Sequence, residues 1–347
     1  MLRGFRSLRT LIPSGLALLV AFAVGGIVVA VAGGDPWLAF TALVDGSFGS
    51  LDSISEVGVK SCPLLLVGIA VAIAFRAGIW NIGGEGQLLA GAIAVAWIGN
   101  SPTSLPGWCA LPLTLLAATC AGAAWAAVAA FLKVRRNVSE VISTIMLNFI
   151  AVGLVGYLVH GPLMEGAGTY PQTDAVGAAM RLPRFVPSLR LHAGIVIALL
   201  AAGLSSVLLF RTVLGYEMRA VGANEEAARL AGIRIERCIF ITLLLSGGLA
   251  GLAGGIEVSA VTYRVYEKFS PGYGFTAIAV ALLGRLHPAG VVAAALLFGA
   301  MEAGSNSMQR VAGVSSVLVS VLQATVIFSL IAFAGGMALR RRVTTTD

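Results

Sequence analysis

The chain has 347 residues and a formal net charge of +7, and 58% of its residues are hydrophobic whereas 11% are charged. Because a soluble globular domain contains roughly 25% charged residues, this composition excludes an ordinary soluble protein. The mean hydropathy of +0.93 and the 43 glycines indicate several membrane-spanning helices, since small residues let such helices approach closely. The basic residues stand at the ends of apolar runs and give no indication of a nucleic acid polymer as a partner.

Apolar runs predict an all-α, polytopic membrane protein with about ten transmembrane helices in a single domain that spans residues 1–347. The predicted spans lie at about 14–32, 57–75, 86–99, 111–132, 141–159, 193–210, 237–260, 274–285, 289–304 and 315–337. The first run also resembles a signal peptide, but its length favours a retained helix.

The charges between the runs predict the orientation of the chain. Basic residues follow alternate runs, whereas four acidic residues fall between the first two runs: Asp35, Asp45, Asp52 and Glu56. Under the positive-inside rule, this distribution predicts that both termini are cytoplasmic. It also predicts an inner loop at about 211–237 and an outer loop at about 160–192, whose prolines and polar residues indicate a structured segment.

The first polar stretch inside the apolar pattern is Phe75–Gln87, which contains Arg76, Asn81, Glu85 and four glycines. Interrupted helices are tolerated within a membrane only where they face protein or a watery cavity. Residues 76–86 and the short run 274–285 are therefore candidate pathway elements, and Arg76 is a candidate ion-pair partner for Glu85. A short cytoplasmic turn with ordinary caps explains the same residues equally well.

A second polar stretch, Val138–Asn148, begins the fifth predicted span. Ser139 and Glu140 are suited to the start of a helix, and Thr144 and Asn148 are four residues apart and share one face. That face could line a polar route for a solute. Hydrogen bonding to a neighbouring helix is the commoner use of such residues.

The third stretch is a polar island, Gly215–Gly232, between two apolar spans. Asn224 is suited to the N-cap of a short helix, Glu225 to its first turn, Arg229 to its last turn, and Gly232 to the position after its end. A short capped helix in such a loop predicts a docking element for a cytoplasmic protein. The alternative is a solvated loop with an incidental helix.

Several chemical signatures are absent from the sequence. It contains no Gly-x-x-x-x-Gly-Lys-Ser/Thr loop, no His-Glu-x-x-His motif and no metal-like cysteine spacing. We therefore expect no ATPase site, metal or cofactor on this chain. Acidic residues in mid-span are scarce, which argues against an ion-coupled carrier. An enzyme that acts on lipid-linked substrates should show clustered acids or histidines at a membrane face, and Glu85 near Arg76 is the only candidate for such a cluster.

Four stretches of this sequence resemble one family: Phe75–Gln87, Glu140–Asn148, Arg219–Ile233 and Ala277–Gly284. They are similar to the permease subunits of bacterial ABC importers for nucleosides and simple sugars, which are related to ribose and branched-chain amino acid permeases. The resemblance covers roughly residues 57–335. It implies a multi-pass permease domain in the bacterial plasma membrane.

The resemblance also implies a set of partners. Two permease subunits form the pathway, separate ATPases hold ATP and Mg²⁺ and bind the polar island, and an extracytoplasmic protein delivers the solute. The implied pathway residues are Asn81, Glu85, Gln87, Thr144 and Asn148. The implied ATPase-coupling residues are Glu217, Arg219, Gly222, Asn224, Glu225, Ala227, Ala228, Arg229 and Gly232.

The form Asn81-Ile-Gly-Gly-Glu-Gly-Gln87 looks more like nucleoside permeases than ribose permeases. The resemblance therefore predicts a permease subunit of an ATP-driven nucleoside importer, paired with a second permease of different sequence. A permease for simple sugars or other small polar solutes is the alternative reading. An ion-coupled secondary carrier is the second alternative.

Overall fold

The computed structural model describes residues 22–99, 106–315, 317–325 and 328–329, together with Leu16, Leu19 and Val20. These residues are mostly helical, and they contain no β-strand, only two isolated β-bridges. The helices named below are α1 Phe22–Val31, α2 Pro36–Phe48, α3 Leu51–Arg76, α4 Gly84–Gly99, α5 Gly107–Arg136, α6 Glu140–Val159, α7 Gly194–Arg211, α8 Val213–Ala223, α9 Glu225–Leu230, α10 Ile235–Glu257, α11 Tyr273–Leu283 and α12 Pro288–Ala312.

Six of the described helices are long and apolar enough to cross a membrane, namely α3, α5, α6, α7, α10 and α12. The shorter helices α4 and α11 have 16 and 11 residues. These findings confirm an all-α architecture for the described residues and fit a polytopic membrane protein. Ten spans, cytoplasmic termini and a single domain stay predictions, and parts of the runs at 14–32 and 315–337 lie outside the described residues.

The segment between the first two predicted spans differs from the expected loop. It contains α2, and α3 already begins at Leu51 rather than near residue 57. The Asp35 carboxylate accepts hydrogen bonds from the N–H groups of Trp37 at 2.8 Å and Leu38 at 3.3 Å, and Pro36 occupies the first turn. An N-cap aspartate followed by proline is a strong helix start, and acidic residues do not prevent a helix from forming.

The described residues divide into two compact units. The first unit comprises the described parts of 1–57 and 297–347, and its buried core includes Leu43, Met301, Met308 and Leu322. Within this unit α2 packs closely on α12, because the hydroxyl of Ser47 donates to the carbonyl of Ala300 at 2.7 Å. The second unit comprises residues 58–296.

The second unit is built on close contacts among α4, α5 and α10. A Cβ atom on Gly254 of α10 would overlap the carbonyl of Leu88 in α4, and one on Gly91 would overlap the carbonyl of Gly251. A Cβ on Gly122 of α5 would likewise overlap the backbone of α10. Backbone therefore packs directly on backbone, which is how membrane helices gain contact where no hydrophobic effect drives them together.

Residues 160–192 form an ordered segment within the second unit. The Thr173 N–H donates to the Val265 carbonyl at 2.8 Å, and the Val176 N–H donates to the Tyr263 carbonyl at 2.8 Å. Two basic residues then converge on one tyrosine. The Arg181 guanidinium lies 4.6 Å from the ring centre of Tyr263, and the Arg184 guanidinium donates to its hydroxyl at 3.2 Å.

His192 ends this segment as a buried, neutral residue. Its Nδ1 accepts a hydrogen bond from the Gly194 N–H at 3.2 Å, while its Nε2 is buried without a partner in the described structure. Burial lowers the pKa of His192 to about 4, and the positive charges of Arg184 and Arg190 act in the same direction. The folded chain therefore resists protonation of this side chain.

The close contact at Gly254 predicts a large loss of stability when a methyl group is added. We expect Gly254→Ala to lower the free energy of unfolding by about 1–3 kcal/mol, because the two helices must separate. Thermal unfolding in detergent micelles measures this change. The matched control is Gly153→Ala in α6, where a Cβ meets nothing within 4 Å. Equal stability of the two variants would contradict the packing.

The low pKa of His192 predicts that stability falls as the pH falls from about 6.5 to about 4. In this window the unfolded chain binds a proton that the folded chain does not, so unfolding becomes more favourable by up to about 3 kcal/mol. We expect His192→Gln to flatten the pH dependence of thermal unfolding in this range. The unsubstituted chain, measured over the same pH range, is the control. An unaltered slope in His192→Gln argues against the buried neutral state.

Candidate functional site

The five residues predicted to line a pathway lie together and form, with Ser246 of α10, what we call the polar cluster. Its members come from the turn 77–83, the start of α4, the first half of α6 and the middle of α10. All six side chains are buried: Asn81, Glu85, Gln87, Thr144, Asn148 and Ser246. The sequence therefore identified residues that are far apart in the chain and adjacent in the fold.

Asn81 is the centre of this cluster. Its Nδ2 donates to Gln87 Oε1 at 3.1 Å and to Ser246 Oγ at 2.8 Å. Its Oδ1 accepts from Gln87 Nε2 at 3.0 Å and from the Gly83 N–H at 3.0 Å. The Ser246 hydroxyl in turn donates to the carbonyl of Ala70 in α3 at 2.7 Å. One amide thus joins the turn to α3, α4 and α10.

Asn148 of α6 holds the same turn from another side. Its Oδ1 accepts from the Gly86 N–H at 2.8 Å, and its Nδ2 donates to the Ile82 carbonyl at 2.9 Å. The Thr144 hydroxyl accepts from the Ile82 N–H at 3.3 Å. These bonds satisfy backbone groups that the interrupted helix leaves free at the start of α4. Part of the polar face of α6 therefore bonds neighbouring backbone, and its role in solute passage stays a prediction.

Glu85 lies where the starts of α4 and α11 meet. Its Oε2 accepts from the Gly274 N–H at 2.7 Å, and a Cβ on Gly274 would overlap the backbone of Glu85. A carboxylate at the positive start of α11 is electrostatically favourable. The two segments that the sequence indicates as interrupted, residues 76–86 and 274–285, are thus in direct contact.

The predicted ion pair between Arg76 and Glu85 is wrong, since it is absent from the described ion pairs. The Nε of Arg76 donates to the Leu286 carbonyl at 2.6 Å, and its guanidinium lies 5.0 Å from the ring centre of Phe210. Glu85 is directed instead to α11. Proximity in sequence suggested the pair, but the turn between them leads the two side chains to different helices.

The polar island contains α8 and α9, and its capping is confirmed. Asn224 Oδ1 accepts from the Ala227 N–H at 3.0 Å, and Arg229 pairs with Glu225 at 3.1 Å. Gly232 has a φ of 83°, which a residue without Cβ adopts at little cost. Its N–H donates to the Arg229 carbonyl at 3.0 Å. This arrangement ends α9 sharply.

The other residues predicted to contact the ATPases lie on α8 and α9, and that role stays a prediction. Glu217, Arg219 and Gly222 are in α8, and Ala227 and Ala228 are in α9. Ala228 is buried, whereas the pair formed by Glu225 and Arg229 is exposed. Leu230 is 87% exposed at the end of α9 and was missed from sequence, although a leucine in a charged helix is the signal that could have found it.

The island and the polar cluster are connected through the turn. A Cβ on Gly222 of α8 would overlap the Arg76 carbonyl, and a Cβ on Gly78 would lie 3.2 Å from the Gly222 Cα. Arg219 also lies 5.4 Å from the ring centre of Phe210, on which Arg76 rests. The turn that carries Asn81 therefore contacts α8 at its beginning and the polar cluster at its end.

Six long apolar helices among the described residues and a buried polar cluster are typical of a multi-pass membrane transporter. The family described as branched-chain amino acid transport system, permease component, matches residues 53–333. The chain belongs to this family of permease components, which confirms the family resemblance of its four motifs.

Named relatives cover most of the chain. The glucose ABC transporter permease protein TsgB13 of Haloferax volcanii is 39% identical over 91% of this chain and 86% of its own length. The guanosine ABC transporter permease protein NupP of Bacillus subtilis is 37% identical over 90% of both chains. A second guanosine permease protein of that organism, NupQ, is 28% identical over 70% of this chain and 77% of its own length.

The bonds of Asn148 predict that Asn148→Ala destabilises the second unit. The change removes the partner of the buried Gly86 N–H, at a cost of about 1–3 kcal/mol, and also the bond to the part-buried Ile82 carbonyl. Thermal unfolding in micelles measures the loss. The control on the same helix is Ser143→Ala, because the Ser143 hydroxyl bonds only carbonyls of its own helix segment. A loss no larger than that of the control refutes the clamping role.

Proposed function

We propose that this chain is the permease subunit of an ATP-driven ABC importer for nucleosides, and that it crosses the bacterial plasma membrane with both termini in the cytoplasm. The observation that carries the proposal is the contact of Gly222 with the turn at Arg76 and Gly78. A force applied to the island at Gly222 reaches Gly78, and Asn81 lies three positions further along the same backbone. A transporter driven by a separate motor needs such a connection.

The motor in this proposal is a pair of partner ATPases that hold ATP and Mg²⁺, since the sequence contains no phosphate-binding loop of its own. The exposed surface of α9 offers them Glu225, Arg229 and the apolar side chain of Leu230. The cap at Asn224 and the sharp end at Gly232 keep this short helix rigid. A rigid helix transmits displacement, whereas a flexible loop would absorb it.

The polar cluster is the proposed point of passage. In this structure Asn81 is hydrogen-bonded to Gln87, and Asn148 is hydrogen-bonded to the turn. We propose that displacement of the turn breaks these hydrogen bonds, so that the side-chain amides become free to bind the solute. Amides donate and accept, as the edge of a nucleobase and the hydroxyls of ribose require. Weak binding here suffices, because the extracytoplasmic protein captures the solute.

The choice of nucleosides follows the form of the Asn81–Gln87 motif and the guanosine names of NupP and NupQ. The specific observation in favour of a simple sugar is the glucose name of TsgB13, at 39% identity. Both solute classes carry hydroxyl groups that suit an amide-rich cluster. Transport of either class through this subunit keeps the same coupling mechanism.

The proposed partner permease is different in sequence from this chain. NupP and NupQ are two permease proteins of one organism with the same named solute, and this chain is 37% identical to NupP but 28% to NupQ. A transporter that contains two different permease subunits explains why one organism has two related permease proteins for the same named solute. By this reasoning the chain occupies the position of NupP and needs a partner like NupQ.

The transport proposal predicts uptake by a reconstituted complex. Proteoliposomes with this chain, its partner permease, the ATPases and the binding protein should accumulate labelled guanosine when ATP is supplied. Unlabelled guanosine should suppress accumulation, and unlabelled glucose should not. Accumulation of labelled glucose, with no accumulation of labelled guanosine, transfers the proposal to sugars. Uptake by the single chain under a proton or sodium gradient, without ATPases, contradicts the importer mechanism.

In the same preparation, two island variants test the docking role: Leu230→Ser, and the double variant Glu225→Ala with Arg229→Ala. Each removes contacts offered to the ATPases and should lower ATP-coupled uptake about tenfold, as expected for interface anchors. Thermal stability should change little, because these side chains are exposed. Arg310→Ala, at an exposed arginine outside the island, is the control. Unchanged uptake in both island variants rules out docking at α9.

A further inference from the structure

A groove of about 360 Å³ lies between the end of α5 and the beginning of α10. Its lining residues are Phe131, Val134, Arg135, Glu236, Arg237, Phe240 and Ile241. The volume is within the range of small-molecule pockets, roughly 300–1,000 Å³. Neither the substrate pathway nor the ATPase-coupling residues described above include any of these side chains.

The groove has a basic rim. Arg135 and Arg237 form no ion pair within the part of the chain that the structure describes. The neighbouring Lys133 is different, because it pairs with Glu140 at 2.9 Å. With two guanidinium groups and the single carboxylate of Glu236, the groove is net positive, so its charge is complementary to an anion.

The apolar lining residues, which we call the floor of the groove, lie farther from the helix ends than the two arginines do. Phe131 precedes Arg135 by one turn of α5, and Phe240 follows Arg237 by about one turn of α10. Residues so spaced lie on one face of a helix. Both rings are partly exposed, at 54% and 37%. The last turns of α5 and the first turns of α10 line the same groove. The two aromatic rings therefore lie toward the middle of the helices and the two arginines toward their ends.

We propose that this groove binds one anionic phospholipid of the surrounding membrane, with its phosphate on Arg135 and Arg237 and an acyl chain against Phe131 and Phe240. The order of a charged rim over an apolar floor matches the order of headgroup and chain in a lipid. Basic pockets between membrane helices on the cytoplasmic side recognise such headgroups. A free anion would use the rim and leave the floor uncovered.

The position of the groove gives the lipid a place beside the coupling segment. Arg237 follows Gly232, the end of the polar island, by five residues, and α10 begins between them at Ile235. A lipid bound here would restrain the start of α10. This consequence does not depend on which solute the chain transports.

The test uses the full chain in detergent micelles and native mass spectrometry with added phosphatidylglycerol. We expect the chain to retain a bound lipid. Its affinity should fall roughly fivefold in each of the single variants Arg135→Gln and Arg237→Gln, because one basic residue at an anionic surface has an effect of about this size. The control is Arg136→Gln, which alters an exposed arginine that does not line the groove. Elution volume and thermal unfolding show that each variant is folded.

Three outcomes overturn the proposal. The first is an equal loss of phosphatidylglycerol in Arg136→Gln, because that result would reflect general surface charge. The second is equal binding of phosphatidylethanolamine, whose amine could pair with Glu236. The third is displacement of the lipid by millimolar inorganic phosphate with no loss of affinity in Phe131→Ser, because the site would then serve a free anion.

Discussion

The hydrogen bonds of the Asn81 side chain are the constraint on which the rest of the second unit depends. The turn 77–83 interrupts the helical path between α3 and α4 and leaves backbone groups without helical partners. In a low-dielectric interior an unsatisfied amide costs several kcal/mol, so the turn can persist only if side chains satisfy it. Asn81 satisfies the Gly83 N–H at 3.0 Å, and Asn148 satisfies the Gly86 N–H at 2.8 Å and the Ile82 carbonyl at 2.9 Å.

The turn has a second neighbour, which in the proposed mechanism connects the polar cluster to the partner ATPases. The backbone of Gly222 contacts the backbone of Arg76 and Gly78 with no side chain between them, so a movement of α8 would displace the turn directly. Tightly packed contacts switch between discrete arrangements rather than deform gradually. A cluster held by complete hydrogen bonds has the same character, because opening one bond leaves groups that only water, solute or a new arrangement can satisfy.

Local features were predicted well from the sequence, and long-range partners were not. The cap at Asn224 and the end at Gly232 depend on residues within one helix turn, so their types alone identify them. The start of α2 at Pro36 was equally local but was read only as a charged loop. Ser246 and Gly274 complete the cluster from distant helices, and a single sequence contains no signal of which apolar span approaches which.

In this structure the side chains of the polar cluster hold the turn, and they are not free to bind a solute. Side chains that hold a turn must be fully bonded, whereas side chains that select a solute must be free to bond it. Asn81 cannot do both at once, because its oxygen and its nitrogen each have two partners. In the proposed mechanism, selection of the solute therefore requires an arrangement of the cluster in which the turn has moved. The same hydrogen bonds then serve both proposed roles in two different states, and movement of the island is the proposed switch between them.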